Sequence, residues 1–379
     1  MTLQSSTSRM RFLIVMTLAF SIAGCGRDVA KRATEFQDSS FHVSGLAFSP
    51  DGALLATSSV GTNEVHIWSL TDKPKMIKTL EQDPDTTFEA WALSYSQVDG
   101  LRFTEDGSRL LNAHNGGEGN HFRIIRIWST TSWTPIADVA EEKAGGGPFP
   151  AQIAVSSNGK FVVRARGMQL EAFDTDTGQL AWSVSLPVPS AELALSPDGR
   201  RAAIVGIDNS AGPPQGPRTL VAKLCFLDVE ARSVGSCFNV LEHSTYLYLA
   251  AWSPDGRYVA ITGSSGEDTK GRSLPGPGLE IFDTVSGRIT GSFPPLNDYV
   301  AVLQYSRDGR YLLVAGWQQV EIWDSQHTKL LQRITSSGVP GVTHVRGGEP
   351  PVTAARLSMD GRRLAIAFQT TVRVYDLTN

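Results

Sequence analysis

An all-β fold built from repeats is what this sequence predicts, and three observations predict it. One phrase recurs seven times in 379 residues: an alternating apolar run, a four-residue turn ending in glycine, a second apolar run, and a large apolar residue followed by Ser or Asp. The turns read Ser49-Pro50-Asp51-Gly52, Thr104-Glu105-Asp106-Gly107, Ser156-Ser157-Asn158-Gly159, Ser196-Pro197-Asp198-Gly199, Ser253-Pro254-Asp255-Gly256, Ser306-Arg307-Asp308-Gly309 and Ser358-Met359-Asp360-Gly361, their glycines 40 to 57 residues apart. The second run is nearly all apolar in six of the units, as a strand covered on both faces requires. Self-similarity at this period marks a β-propeller, here seven-bladed with four antiparallel strands per blade.

Ahead of the repeats, Arg9 and Arg11 precede an uncharged run from Phe12 to Ile22, and Ala23-Gly24-Cys25 follow. A basic start, a short apolar stretch and small residues read as an export signal. The run is too short to span a bilayer, which takes roughly 20 apolar residues. Ile22-Ala23-Gly24-Cys25 resembles the lipobox of bacterial lipoproteins, and that resemblance implies cleavage before Cys25 and acylation of its thiol and amine. The expected organisation is a signal peptide over residues 1–24, a lipid-anchored tether over 25–32 and the propeller over 33–379. Gly26, rather than Asp, after the cysteine slightly favours the outer membrane, with the propeller in the periplasm or at the cell surface.

Within each unit the first strand alternates, as in Val43-Ser44-Gly45-Leu46-Ala47-Phe48, and the Asp-Gly or Asn-Gly turn is a hairpin signal in which both central residues tolerate positive φ. Second strands such as Tyr258-Val259-Ala260-Ile261 are apolar throughout. Third strands end in Ile67-Trp68-Ser69, Ile127-Trp128-Ser129, Ala172-Phe173-Asp174, Phe226-Leu227-Asp228, Ile281-Phe282-Asp283, Ile322-Trp323-Asp324 and Val374-Tyr375-Asp376. Those endings resemble the WD-repeat family over about residues 33 to 379. The family's Gly-His pair before the first strand is absent, although His42, His243 and His344 fall near its place, so the family's Ser-His-Asp-Trp network is not carried over. Ala172 to Trp182, with Asp174-Thr175-Asp176-Thr177-Gly178 inside it, also looks like the docking repeat of quinoprotein-type propellers. Fourth strands such as Lys75 to Leu80 are more polar, as half-exposed edges should be. The last unit stops after its third strand, so Ala33-Thr34-Glu35-Phe36-Gln37 is expected to close the ring.

Composition narrows the function. Without residues 1–24 the chain has 32 basic and 38 acidic residues and no basic cluster to neutralise phosphates, which argues against nucleic-acid partners. Cys225 and Cys237 fall opposite one another in a predicted hairpin, where an oxidising compartment permits a disulfide; two small buried hydrophobes is the other reading.

The longest segments, 82–97, 112–122, 141–150, 206–219, 263–278 and 336–351, all fall between second and third strands or between units, which puts them on one rim. Long loops of this kind tend to carry function. Trp91, Tyr95, His114, His121 and Phe149 are the candidate partner-binding residues. His114 to His121 offers two imidazoles and a carboxylate, but its glycines do not preform a metal site.

No nucleophile elbow or phosphate-binding loop appears. The expected protein is an exported, membrane-anchored scaffold or binding module, without cofactor, metal or enzymatic activity, acting through its loop-rich face on a protein or cell-envelope component. It would act as a monomer or within a hetero-complex. The alternative is an envelope enzyme of the lactonase or quinoprotein type.

Overall fold

The computed structural model describes residues 29–38, 42–59, 64–71, 73–81, 101–116, 122–140, 152–156, 158–208, 221–241, 249–263, 278–293, 300–316, 318–326, 329–336, 339 and 352–378. They form an all-β propeller with four-stranded antiparallel blades and no helix among the described residues. The first strand, β1 (Ala30–Gln37), precedes a four-stranded sheet of β2 (Val43–Phe48), β3 (Leu54–Ser59), β4 (Glu64–Ser69) and β5 (Lys75–Glu81). The second sheet holds β6 (Leu101–Phe103), β7 (Arg109–Gly116), β8 (Phe122–Ser129) and β9 (Pro135–Ala140). The third has six strands: β10 (Gln152–Val155), β11 (Phe161–Asp174), β12 (Leu180–Leu195), β13 (Arg201–Asp208), β14 (Val221–Asp228) and β15 (Ser233–Val240). The fourth has β16 (Leu249–Trp252), β17 (Tyr258–Thr262), β18 (Leu279–Asp283) and β19 (Arg288–Phe293); the fifth has β20 (Val300–Tyr305), β21 (Tyr311–Gly316), β22 (Gln319–Asp324) and β23 (Leu330–Thr335). The sixth consists of β24 (Val352–Leu357), β25 (Arg363–Phe368), β26 (Thr371–Leu377) and β1.

Seven separate blades were expected and six sheets form, because two strands run on from one unit into the next. Strand β11 pairs with β10 through Val162–Ala165 and with β12 through its later residues. Strand β12 in turn pairs with β11 up to Ser185 and at Ser190, then with β13 from Ser190 to Leu195. Units three and four are therefore one sheet. Register shifts at Gly167/Gln169 and Ser190/Glu192 mark the changes of partner.

The recurring turn explains why each unit folds locally. In the first unit Ser49 Oγ donates to Asp51 Oδ1 (2.5 Å), which also accepts from Ala53 N (3.0 Å), while Leu54 N donates to Ser49 Oγ (2.8 Å). Only the glycine has positive φ, between 66° and 73° in the seven turns, and the preceding Asp or Asn does not. The expectation of two positive-φ residues is thus corrected: the Asp or Asn carboxyl or amide oxygen, not a mirror-image turn, holds the reversal.

This contact has a pH signature. The Ser196 hydroxyl, aided by the Arg200 amide and nearby arginines, holds the Asp198 carboxyl below its ordinary value despite desolvation. A lowered folded pKa contributes stability above the unfolded value that is lost as pH falls through the folded one. In the third unit Asn158 makes the same bonds to Ser156 (2.8 Å) and Lys160 N (3.0 Å) without a titrating group. Asp198→Asn should therefore melt like the parent at neutral pH and lose less stability than the parent as pH falls below the ordinary carboxylate value of 3.8. Superimposable acid limbs in thermal melts would contradict this.

Packing between sheets supplies the core. Seven buried clusters follow one another around the ring, one of them between the two halves of the six-stranded sheet: Ala154, Leu170 and Leu186 pack there against Leu193, Ile204 and Leu227. Trp68, Trp128, Phe173, Phe282 and Tyr375, the residues ending third strands, all sit in these clusters. Each fully buried Leu or Ile, such as Leu55, Ile67 or Leu110, contributes about 2 kcal/mol. Outer strands are exposed by contrast, with Lys75, Met76, Ile77 and Lys78 of β5 all open to solvent.

The termini close the ring. Strand β1 pairs antiparallel with β26 from Ala30↔Leu377 to Gln37↔Thr371. It opens three residues ahead of the expected Ala33, because Gln332 of the neighbouring sheet clasps Ala30, accepting from its N–H (2.6 Å) and donating to its carbonyl (3.1 Å). Glu35 accepts from Arg373 (2.5 Å), and Phe36 stacks 4.2 Å from Trp68.

Candidate functional site

Antiparallel order sorts the chain between the two rims. Strand β2 runs toward the rim that carries the Ser-x-Asp-Gly turns, β3 away from it, β4 toward it and β5 away, and the other sheets repeat this. Segments leaving β3 or β5 and their counterparts are therefore rooted on the opposite rim. The turn rim is stitched shut: the Gly52 and Gly256 carbonyls accept from Arg363 (3.1 Å) and Arg201 (2.5 Å) of the preceding unit.

On the opposite rim, at the junction of β1 and β2, lies Asp38. Its side chain is 1% exposed, yet it serves four donors. Its Oδ1 accepts from Thr57 Oγ1 (2.9 Å), Trp68 Nε1 (2.9 Å) and His66 Nδ1 (2.9 Å), and its Oδ2 accepts from Ser59 Oγ (3.2 Å). Asp38 N also donates to the Thr370 carbonyl in the turn between β25 and β26 (3.0 Å). Burying a carboxylate is tolerable only when its lone pairs are filled. Here every donor comes from strands two and three of the first unit, so the carboxylate ties the closing strand to that unit.

His66 completes the cluster, with Nε2 3.2 Å from Glu64 Oε2. The hydrogen bond to Asp38, followed by the charges of Asp38 and Glu64, raises its pKa above the ordinary imidazole value against the opposing effect of burial. A raised folded pKa contributes stability that is full below the unfolded value and is lost as pH rises through the folded one.

Sequence reasoning missed this arrangement by looking for a histidine before the first strand. Asp38 occupies that place, and the histidine is on the third strand at position 66. The usable signal was local: Thr57 on the second strand and Trp68 at the end of the third.

The predicted site residues are placed differently. His114 lies in β7, paired with Ile124 of β8, because β7 and β8 extend to Gly116 and Phe122 and absorb most of the expected 112–122 loop. Trp91, Tyr95, His121, Phe149 and the lipidation candidate Cys25 lie outside the described residues. Cys225 and Cys237 are direct register partners on β14 and β15 and are joined by a disulfide with a Cα–Cα distance of 4.1 Å. Among the described residues no three His, Cys, Asp or Glu side chains are grouped to hold a metal ion.

The docking-like segment of the third unit is structural where it is described. Arg109 of the second sheet reaches Thr175 and Asp176, and Thr175 Oγ1 donates to the Gly159 carbonyl (2.7 Å). These contacts lock the turn after β11 onto its neighbour.

Strands β1 to β4 and the whole Asp38 cluster fall in one stretch that is recognisable by comparison. Residues 31–69 match the family of the WD domain, G-beta repeat. No curated protein matches the chain.

Proposed function

We propose that this chain is an exported, lipid-anchored propeller that acts as a protein-interaction scaffold, binding a protein or envelope component through the rim on which its long segments are rooted. The observation that carries the reading is the asymmetry of the ring. One rim has tight turns whose backbone carbonyls accept from arginines of the neighbouring unit, whereas the other roots the segments 82–100, 141–151, 209–220 and 340–351. Elaborated segments on a rigid scaffold are where binding residues concentrate. The WD-repeat match supports the reading, since propellers of that kind generally mediate protein contacts.

Within the six-stranded sheet the two halves meet through a core cluster of the same kind as those between separate sheets. Export and anchoring rest on the basic start, the apolar run and the Ile22-Ala23-Gly24-Cys25 motif, and the Cys225–Cys237 disulfide suits an oxidising compartment. The chain acts by binding rather than by catalysis.

In-cell photocrosslinking tests both parts. A photoreactive residue at Trp91 or Phe149 should capture one dominant envelope protein in the membrane fraction, and a probe at Asp51 on the turn rim should not. With Cys25→Ser the captured pair should leave the membrane fraction. Equal capture from both rims would overturn the binding face; membrane retention of the Cys25→Ser protein would overturn the anchor.

A further inference from the structure

The outer strand of every unit sets out from the turn rim, and the residue at its start stands opposite the end of the third strand. Register pairs Lys75 with Ser69, Ser233 with Asp228, Arg288 with Asp283 and Lys31 with Asp376. In the other three units the N–H groups of Ser129, Asp174 and Asp324 donate to the carbonyls of Thr134 (2.9 Å), Gln179 (2.9 Å) and Lys329 (3.0 Å), which hold the same place. All of these outer-strand residues are exposed. Their charge is confined to one side of the ring. Arg288, Lys329, Lys31 and Lys75 follow one another on the fourth, fifth, sixth and first sheets, which shared core clusters make neighbours. Thr134, Gln179 and Ser233 fill the rest of the circle without a charge.

The carboxylates opposite are turned to other partners. Asp283 is held by Arg257 (3.1 Å) and by the amides of Val285 and Ser286 (2.8 and 3.2 Å), and Asp376 lies 3.5 Å from Arg363. Charge is what sets the arc apart, since Ile136 and Leu180 outside it are as exposed as Met76 and Ile289 inside it. The four cations come from positions 31, 75, 288 and 329, so no basic run in the sequence announces them.

The chain enters the fold in the middle of this arc. Strand β1 sets out from the turn rim, where the Val29 carbonyl accepts from Thr378 N (2.7 Å) and Gln332 clasps Ala30. Four residue steps separate Val29 from Cys25, a span of about 14 Å at full extension. An acyl group on Cys25 therefore draws the turn rim to the bilayer surface at the sixth sheet. Lys31 lies two residues past the entry, with Lys329 and Arg288 on one side of it and Lys75 on the other.

We propose that this arc is a membrane-contact edge, with Arg288, Lys329, Lys31 and Lys75 resting on the anionic phospholipid headgroups of the bilayer that holds Cys25. The assignment rests on the lipid anchor proposed above. Ammonium and guanidinium groups make charge-assisted hydrogen bonds to phosphate, and the negative surface potential of such a bilayer attracts each cation near it. Contact along one side tips the ring onto this edge. The rim with the long segments stands about 20 Å farther out, the length of a six-residue strand, and faces the aqueous side.

Flotation of the full chain carrying Cys25→Ser with vesicles of equal parts phosphatidylglycerol and phosphatidylcholine tests the edge without acyl chains. Any affinity of residues 1–24 is common to all variants. Lys31→Gln, Lys75→Gln, Arg288→Gln and Lys329→Gln should each weaken binding about fivefold, and the four together about a hundredfold or more. Lys160→Gln, the same loss of charge at an exposed turn position outside the arc, should stay within about twofold of its parent. Melting curves establish that each variant is folded. Two results would overturn the proposal: a fourfold variant that binds these vesicles like its parent, or a Lys160→Gln loss equal to that of Lys75→Gln. Failure of the anchor itself shows separately, as membrane retention of the Cys25→Ser protein in cells, and changes neither result.

Discussion

Asp38→Ala should lower the stability of the propeller by about 3 kcal/mol, a loss visible as a fall of several degrees in the melting temperature. The substitution removes an acceptor shared by Thr57, Ser59, His66 and Trp68. Part of the loss is recovered locally. Trp68 Nε1 still has Thr57 Oγ1 at 3.2 Å, and His66 keeps Glu64. The cost therefore falls below the sum of four charge-assisted bonds, while remaining large because the site is buried and the released groups cannot reach water.

The same variant has a pH dependence of fixed sign. Asp38 is the main reason that the His66 pKa is raised, so its contribution to stability is greatest below the ordinary imidazole value of 6.5 and declines as pH rises through the raised one. The stability gap between parent and Asp38→Ala should consequently be wider at pH 6 than at pH 9. Asp38→Asn, which retains an oxygen acceptor without the charge, should fall between them. Melting curves at both pH values are the measurement, and a gap that widened with pH would reject the role given to His66.

Gly206→Ala should be strongly disruptive for a single added methyl. Gly206 pairs with Ser190, where β12 leaves β11 for β13. A Cβ there would lie 2.3 Å from the Pro189 carbonyl oxygen and 2.7 Å from Val188 Cγ2. Val188 is itself buried. Backbone cannot rotate aside as a flexible side chain would, so the two strands must part at the junction of units three and four. Overpacking of this kind costs about 1–3 kcal/mol, and the backbone contact puts it at the upper end.

Gly291→Ala is the matched control. Its Cβ would meet only Ile281 carbons at 3.6 Å, an ordinary contact, so its stability should stay within about 0.5 kcal/mol of the parent. Denaturant unfolding of the two variants decides the matter, and equal midpoints would show that the junction has slack the packing does not suggest.

The turns, the strand pattern and the closing strand were legible in the sequence because each depends on residues close together. A Ser, an Asp two residues later and a following Gly contain their own hydrogen bonds, so the seven turns can be read off in order. Apolar alternation likewise states which face is buried without reference to what buries it. The pairing of Cys225 with Cys237 needed only a hairpin of the right length.

What tertiary structure alone decided involves residues that local pattern cannot relate. Asp38 meets its donors 19 to 30 residues away, and sequence reasoning sought a histidine where the acid stands. Units three and four share a sheet because β11 and β12 continue through the expected breaks, and nothing in their apolar pattern marks where a strand changes partner. Contacts across the ring depend most on assembly. Glu105 and Arg307 are 202 residues apart and meet only once the ring has closed. Short-range chemistry specifies each hairpin, whereas closure sets which side chains meet across the axis.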